Sequence, residues 1–162
     1  MRIATKSSKL NISKLENTKK IADIFAKNIF KGNVILFYGE VGVGKTTFIK
    51  FLVNSLEKID KKNISEITSP TFSLMNQYKL NKFDIHHYDL YRLKSEKDIL
   101  SLNIFEDISD KIVLIEWPEI LGEHKPKNTI DINFEYGENF NSRYLTISAY
   151  EKLKIFDEFK SL

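Results

Sequence analysis

Residues 39 to 46 constrain the fold of this chain more than any other stretch, because they read Gly-Glu-Val-Gly-Val-Gly-Lys-Thr. The run fits the pattern G-x-x-x-x-G-K-[ST] at every fixed position. An apolar run before it, Asn33 to Tyr38, predicts a buried strand, and Thr46 to Val53 after it predicts the opening of a helix. A strand, a glycine loop and a helix in this order direct backbone N–H groups and a helix N-terminus at phosphate oxygens. The sequence therefore predicts a binding site for a nucleoside triphosphate.

The length of 162 residues and the absence of a composition break predict a single domain over 1–162, with its core between about residues 13 and 149. Ser13 and Glu16 have the spacing of a capping box, and the periodicity predicts an amphipathic helix from Lys14 to Phe30. Two further helices are expected, Lys45 to about Lys58 and Glu96 to Leu102, the second capped by Ser95.

Several segments predict strands, and most of them pair into hairpins. Alternation predicts one hairpin from Phe72–Leu80 and Phe83–Tyr91 around a turn at Asn81 and Lys82. The continuous apolar run Ile112 to Ile115 is typical of a strand that is covered on both faces. A second hairpin is predicted from Thr129–Tyr136 and Arg143–Ser148, with its turn around Gly137. The last stretch, Tyr150–Leu162, is expected to be a helix or a frayed tail. We therefore expect an α/β fold like that of P-loop NTPases, a mixed β-sheet flanked by helices with antiparallel hairpins.

Composition excludes several classes of protein. The chain has no cysteine, so it has no disulfide framework and no thiolate metal site. No apolar run approaches the roughly 20 residues of a membrane helix, and Met1 to Lys6 lack the apolar core of a secretory signal. We expect a cytoplasmic protein that does not enter a membrane. The net charge of +3 comes from dispersed lysines, which favours a solvated surface over a patch for RNA or an acidic partner.

The chemistry-bearing residues extend beyond the loop. Lys45 supplies a positive charge to the β- and γ-phosphates, and the Thr46 hydroxyl is placed to bind Mg²⁺. Glu116 ends a predicted buried strand, where a second oxygen ligand for Mg²⁺ is expected. Asp89 is the other candidate carboxylate, with a structural partnership to Arg92 as its alternative. His87 either shuttles a proton or is a packed, hydrogen-bonded histidine.

One further motif points to a different nucleotide. Asn81-Lys82-Phe83-Asp84 spells N-K-x-D, which reads guanine in small GTPases. In those proteins the motif follows a strand downstream of a D-x-x-G element, and this chain has no D-x-x-G. Here the motif falls in a predicted hairpin turn, so we interpret it as coincidence and expect ATP rather than GTP.

Four motifs in order carry a resemblance to a known family. They are Glu-Val-Gly-Val-Gly-Lys-Thr-Thr at 40–47, Ser-Pro-Thr-Phe at 69–72, His-Tyr-Asp-Leu-Tyr-Arg at 87–92 and Ile-Glu-Trp-Pro-Glu at 115–119. Together they resemble the TsaE (YjeE) family over about Ser13 to Ala149. The glycine loop is shared by many families, whereas the other three motifs are far more specific.

The resemblance implies an ATPase that binds ATP and Mg²⁺, hydrolyses slowly alone and acts with the TsaD and TsaB proteins. That assembly forms N6-threonylcarbamoyladenosine in tRNA, which this chain would contact only through the complex. The resemblance also implies roles for Lys45, Asp89 and Glu116 in catalysis and for Thr46 and Glu116 in metal binding. The nucleotide-binding set that it implies is Thr18, Gly39, Glu40, Val41, Gly42, Val43, Gly44, Lys45, Thr46, Thr47 and Arg143.

A switch-like loop is also implied, and its residues are Ser69, Pro70, Thr71 and Phe72. Trp117 and His87 are expected near the site. The chain departs from the family pattern at Glu40, Val41 and Val43, which replace aspartate, leucine and alanine. Asn103 replaces a common glycine, and asparagine tolerates the left-handed conformation such a position requires.

Two other functions fit the same loop. A small-molecule kinase of this architecture carries several arginines over the transferred phosphoryl group, and only Arg92 and Arg143 lie outside the N-terminus here. The second alternative is a binding module whose shape is set by nucleotide, without a required hydrolysis step. The sequence alone does not separate that module from a partner-dependent ATPase.

Overall fold

The computed structural model describes residues 5–150 and 154–162 of the chain. Over these residues the backbone forms one eight-stranded sheet. The strands, named β1 to β8 in chain order, are Thr5–Lys6, Leu10–Asn11, Val34–Tyr38, Met75–Lys79, Asp84–Asp89, Lys111–Glu116, Thr129–Tyr136 and Arg143–Ala149. The helices α1 to α4 are Leu15–Asn28, Lys45–Ile59, Glu96–Ser101 and Ile155–Glu158. Short 3₁₀ segments occur at Ile108–Asp110, Pro118–His124 and Phe159–Ser161.

The centre of the sheet is parallel and its sides carry antiparallel hairpins. The strand order is β1-β8-β7-β3-β6-β5-β4, and β2 also pairs with β8. β3 is parallel to both β6 and β7, and β6 is parallel to β5. β4 pairs with β5 and β7 pairs with β8 in antiparallel hairpins. The predicted mixed α/β sheet is confirmed, and parallel strands end at the same edge, where the candidate site lies.

Apolar side chains cover both faces of the central strands. Val34 to Phe37 of β3 and Ile112 to Ile115 of β6 are each at most 1% exposed. One face packs on α1 and α2, where the rings of Phe25 and Phe48 lie 6.1 Å apart. The other face packs on α3 and the loops near it through residues such as Ile99. Since burial of one such side chain contributes about 1.5–3 kcal/mol, this double layer holds the strand ends in place.

The predicted capping box at the start of α1 is wrong. The helix begins at Leu15, its N-cap residue is Lys14, and within the described residues no side-chain hydrogen bond caps it. The Ser13 hydroxyl instead accepts a hydrogen bond from the Arg143 backbone N–H at 2.9 Å. The chain before α1 runs along β8, since the Ile12 N–H donates to the Arg143 carbonyl at 2.8 Å. Because this segment pairs with β8, the Ser13 hydroxyl bonds to that strand and does not cap the helix as the sequence pattern predicted.

The first hairpin begins later than its alternation predicts. β4 starts at Met75 instead of Phe72, because the preceding segment is held in a turn by the Leu74 N–H, which donates to the Pro70 carbonyl at 2.7 Å. The predicted turn between the strands is confirmed, and the Leu80 N–H donates to the Phe83 carbonyl there at 3.1 Å.

The end of the chain adds a short helix to the α1 side of the sheet. Of the predicted helix or tail, α4 is helical, and its residues Ile155 and Phe156 are buried in the same cluster as α1. Residues 151–153 of that prediction lie outside the described part. Asn103 has a φ of 47°, which confirms the left-handed conformation expected at that position.

Candidate nucleotide-binding site

The loop between β3 and α2 bends through backbone conformations that side chains disfavour. Gly39 has a φ of 140° and Gly44 a φ of 117°. A Cβ atom on Gly39 would lie 2.7 Å from the carbonyl oxygen of Phe134 in β7, so only glycine fits between the strands. Gly44 directly precedes α2 as its N-cap residue, and it has no side chain that could cap the helix. The uncapped N–H groups and the positive end of α2 therefore suit an anion.

A cavity of about 330 Å³ lies over this helix start, which is within the range of roughly 300–1,000 Å³ typical of ligand sites. Most of the predicted site residues line it. From the loop and α2 they are Val41, Gly42, Gly44, Lys45, Thr46 and Thr47. From elsewhere in the chain they are Ser69, Thr71, Asp89, Glu116, Trp117 and Arg143. The fold thus brings together residues that are up to about a hundred positions apart in the sequence.

Other predicted residues in the described part of the chain do not line this cavity. Thr18 is buried, and its hydroxyl donates to the Ile12 carbonyl at 3.3 Å. Val43 is buried under the loop, and Phe72 is 87% exposed with the Arg92 guanidinium 5.2 Å from its ring centroid. The remaining four are Gly39, Glu40, Pro70 and His87. The nucleotide-binding roles of Thr18, Gly39, Glu40 and Val43 stay predictions, and so do the switch-like roles of Pro70 and Phe72.

Lys45 is held by the loop itself. Its Nζ donates to the Gly39 carbonyl at 2.6 Å and to the Glu40 carbonyl at 2.9 Å. The same atom lies 4.0 Å from the ring centroid of Trp117, within the range of a cation–π contact. Burial lowers the pKa of Lys45, and the negative charge of Glu116 opposes that shift. A cation with these partners can exchange them for phosphate oxygens.

Glu116 is the centre of a short hydrogen-bonded chain. The Thr46 hydroxyl donates to Oε2 of Glu116 at 2.9 Å. His87 Nε2 lies 2.9 Å from the other oxygen, Oε1. Glu116 is 2% exposed and His87 is fully buried, and each oxygen of the Glu116 carboxylate has a defined partner. Of the two interpretations of His87, the structure favours the packed, hydrogen-bonded histidine.

Asp89 anchors the segment that was predicted to be switch-like. Its Oδ2 accepts hydrogen bonds from the Thr71 hydroxyl at 2.8 Å and from the Ser69 hydroxyl at 3.1 Å. Its Oδ1 accepts from the Tyr91 backbone N–H at 3.0 Å. Since β5 and β6 are parallel with Asp89 opposite Glu116, both carboxylates reach the same end of the sheet. Within the described residues, no ion pair joins Asp89 to Arg92, which was the structural alternative.

Two tyrosines complete the site, and sequence reasoning missed both. The Tyr91 ring lies 4.8 Å from the ring of Trp117 and lines the cavity. The Tyr136 hydroxyl donates to the Val41 carbonyl at 3.1 Å, so the β7–β8 hairpin supports the glycine loop. Tyr91 belongs to the motif at 87–92 and was available as a signal, whereas nothing near Tyr136 marks it.

The N-K-x-D motif lies far from this cavity. Asp84 begins β5 and Asp89 ends it, so the motif is at the opposite end of the strand, about 16 Å away at 3.3 Å per residue. There the Asn81 side chain donates to the Asp60 carbonyl at 3.0 Å. The interpretation of the motif as a hairpin turn is confirmed.

The parallel centre of the sheet, the glycine loop and the residues at the strand ends are those of a P-loop protein. The sequence profile of the family described as "Threonylcarbamoyl adenosine biosynthesis protein TsaE" matches residues 12–145. The chain belongs to this TsaE family, which takes part in the biosynthesis of tRNA threonylcarbamoyladenosine.

Individual relatives agree with that assignment. A tRNA threonylcarbamoyladenosine biosynthesis protein TsaE from Rickettsia conorii is 36% identical over 137 residues, which cover 85% of this chain and 75% of the relative. A protein of the same name from a Nostoc species is 34% identical over 149 residues, covering 88% and 86%. The crystal structure of YdiB from Bacillus subtilis superposes with a TM-score of 0.75 at 23% identity, covering 99% of this chain and 97% of that one, which confirms the fold.

The length and apolar character of the helices determine whether any of them could cross a membrane. Among the described residues, none of the helices combines the length and the apolar character that crossing a bilayer requires.

Proposed function

We propose that this protein binds ATP with Mg²⁺, hydrolyses it, and thereby supports formation of N6-threonylcarbamoyladenosine in tRNA together with TsaD and TsaB. The observation that carries the proposal is the convergence of Lys45, Thr46, Asp89 and Glu116 on one cavity at the start of α2. A positive charge, a hydroxyl and two carboxylates around a glycine loop are the groups that phosphoryl transfer requires. The names of the relatives supply the pathway.

The residues present fit a magnesium ion. Thr46 Oγ1 and Glu116 Oε2 are 2.9 Å apart and are both hard oxygen donors. Neighbouring ligands in an octahedron with bonds of about 2.0–2.1 Å are about 2.9 Å apart, so the two oxygens could hold one ion between them. Within the described residues, no group of three or more acidic or histidine side chains could hold a metal. Phosphate oxygens and water would therefore supply the other ligands, as is usual for Mg²⁺.

When bound, the ion neutralises charge on the phosphates and orients them. Lys45 is expected to leave the Gly39 and Glu40 carbonyls and to bind the β- and γ-phosphates. Asp89 lines the same cavity as the glycine loop and is proposed to orient the attacking water. Its contacts to Ser69 and Thr71 link that role to the switch-like segment.

Few groups are available to stabilise the transition state without a partner. Of the two arginines in the described part of the chain, Arg143 lines the cavity, and its guanidinium lies 5.7 Å from the centroid of the Tyr136 ring. P-loop enzymes gain about 10³–10⁵-fold in rate from an arginine aimed at the transferred group, often one supplied by another protein. We therefore infer a slow ATPase that depends on partners. We further propose that the protein contacts tRNA through the complex and acts in the cytoplasm.

The test is a reconstituted modification assay with TsaD, TsaB, tRNA and the threonylcarbamoyl donor. Adding this protein with ATP and Mg²⁺ is expected to raise the number of turnovers, and Glu116→Ala is expected to abolish that gain while it retains ATP binding. Glu123→Ala, a change of the same type at an exposed position, is the matched control. No gain from the unmodified protein would overturn the proposal.

The same assay tests the first of the two alternatives, and a separate screen tests the second. If Glu116→Ala loses hydrolysis and still supports full multiple turnover, the protein is a nucleotide-gated binding module. In a screen of small molecules, stoichiometric transfer of phosphate from ATP to one metabolite would instead identify a kinase.

A further inference from the structure

His87 is a buried polar residue that the proposed chemistry does not use. It is fully buried and does not line the cavity, so it touches neither nucleotide nor bulk water. Its Nδ1 atom has no hydrogen-bond partner among the described residues, whereas its Nε2 atom lies 2.9 Å from Glu116. An unpaired atom on a buried polar side chain costs free energy, so a histidine retained there with a single contact calls for an explanation.

The backbone explains how the contact forms. β5 and β6 are parallel, with His87 beside Leu114 and Asp89 beside Glu116. Side chains two residues apart on a strand share a face, so His87 and Glu116 lie diagonally on the face that carries Leu114. Leu114 belongs to the cluster that packs against α1 and α2, which places His87 under the start of α2 and behind Glu116.

The contact with Glu116 also indicates which ring nitrogen of His87 carries the hydrogen. A carboxylate oxygen accepts, so Nε2 carries the N–H group and donates it to Oε1 of Glu116. The other oxygen, Oε2, accepts from Thr46. One oxygen is therefore anchored from behind, and the other faces the hydroxyl that is proposed to bind the metal.

We propose that His87 is a positioning residue, which holds Glu116 by Oε1 so that Oε2 stays aimed at the site of the divalent cation beside Thr46. The inference rests on the proposed function, because it concerns the ion bound with the triphosphate. Without the anchor, the glutamate side chain regains rotational freedom, and ordering it again on metal binding costs affinity. Loss of such a partner to a metal ligand typically lowers metal affinity or activity about 10–100-fold.

The test compares three substitutions at this position. His87→Gln places an amide N–H near the position of Nε2, His87→Asn is one carbon too short to reach Glu116, and His87→Leu has no donor. Binding of a non-hydrolysable ATP analogue is measured by calorimetry, in EDTA and across a magnesium titration. We expect His87→Asn and His87→Leu to raise the magnesium concentration for half-saturation about 10–100-fold, with analogue binding in EDTA unchanged. His87→Gln is expected to retain most of the magnesium affinity.

His86→Leu is the matched control, because His86 is the adjacent histidine on β5 and projects to the opposite face. It is expected to leave the magnesium dependence unchanged. Equal half-saturation in all variants would overturn the inference, and so would equal losses of binding in EDTA and in magnesium, which would mark a structural role. If the unmodified protein binds the analogue equally well with and without magnesium, the proposed function fails instead.

Discussion

The ammonium group of Lys45 lies 4.0 Å from the ring centroid of Trp117, the only tryptophan in the chain. The same ammonium group is bound to two carbonyls of the glycine loop. Its present partners are thus the loop and the indole, and a bound triphosphate would compete with both. The indole is a natural reporter of that exchange.

The first prediction concerns the emission of Trp117. Saturation with ATP and Mg²⁺ is expected to change its fluorescence, because Lys45 moves from the indole face to the phosphates. A titration of the protein measures the change, and N-acetyltryptophanamide under the same conditions corrects for absorption by the nucleotide. Constant emission at a nucleotide concentration that saturates the protein by calorimetry would contradict this account.

The second prediction concerns Gly39, whose position leaves no room for a Cβ atom. Gly39→Ala is expected to lower the free energy of unfolding by about 1–3 kcal/mol more than Gly32→Ala, because only the first adds a clash with Phe134. Both glycines have positive φ, 140° and 94°, and a Cβ on Gly32 would meet nothing within 4 Å. Urea unfolding of the two variants measures the difference, and equal losses would show that the clash is relieved.

The third prediction separates two roles of Asp89, which are to anchor segment 69–74 and to orient the attacking water. Asp89→Ala removes the acceptor for Ser69, Thr71 and the Tyr91 N–H, so segment 69–74 should exchange its amide hydrogens faster. Asp89→Asn retains one oxygen for Tyr91 and an amide that can donate to the hydroxyls, so the segment should stay protected. Both changes are expected to lower ATP hydrolysis by about 10²-fold or more, if Asp89 orients the water.

Hydrogen exchange followed by mass spectrometry measures that segment, and hydrolysis is measured on the same samples. Unchanged protection in Asp89→Ala would contradict the anchoring role. Full hydrolysis by Asp89→Asn would contradict the role in catalysis.

The fourth prediction is a pH dependence of stability that arises from His86. Burial lowers the pKa of this histidine below its ordinary value of 6.5, and nearby Lys111 lowers it further. Below pH 6.5 the unfolded chain therefore binds a proton that the folded chain does not, so the free energy of unfolding falls as the pH falls toward the folded pKa. His86→Gln should show a shallower fall in urea unfolding from about pH 8 to about pH 5. Parallel curves for the two proteins would contradict the assignment.

The elements that the sequence predicted well are those with a local signal. The glycine loop, β3 and α2 are adjacent in the chain, and the apolar run of β6 is long enough to indicate burial on both faces. Strands of two residues, such as Thr5–Lys6, carry no periodicity and were missed. Ser13 shows a different limit, because a hydroxyl with the spacing of a cap found a partner 130 residues away.

The residues of the candidate site also differ in whether a local sequence pattern predicts them. Lys45, Thr46 and Glu116 follow from a motif and a strand end, and the structure brings them together. The contact between Tyr136 and Val41 joins residues 95 positions apart, and it depends on the strand order, which no local pattern encodes. Thr18 was predicted to be a site residue, but it does not line the cavity. Its hydroxyl donates a hydrogen bond to the Ile12 carbonyl instead.

The strand order has a consequence for how the protein is made. β3 carries the glycine loop, yet both of its neighbours, β6 and β7, come from the second half of the chain. During translation β3 and the loop leave the ribosome long before those neighbours exist, so the early chain has an apolar strand without pairing partners. The proposed nucleotide site therefore becomes complete late in synthesis, once Tyr136 has been added and β7 can pair with β3.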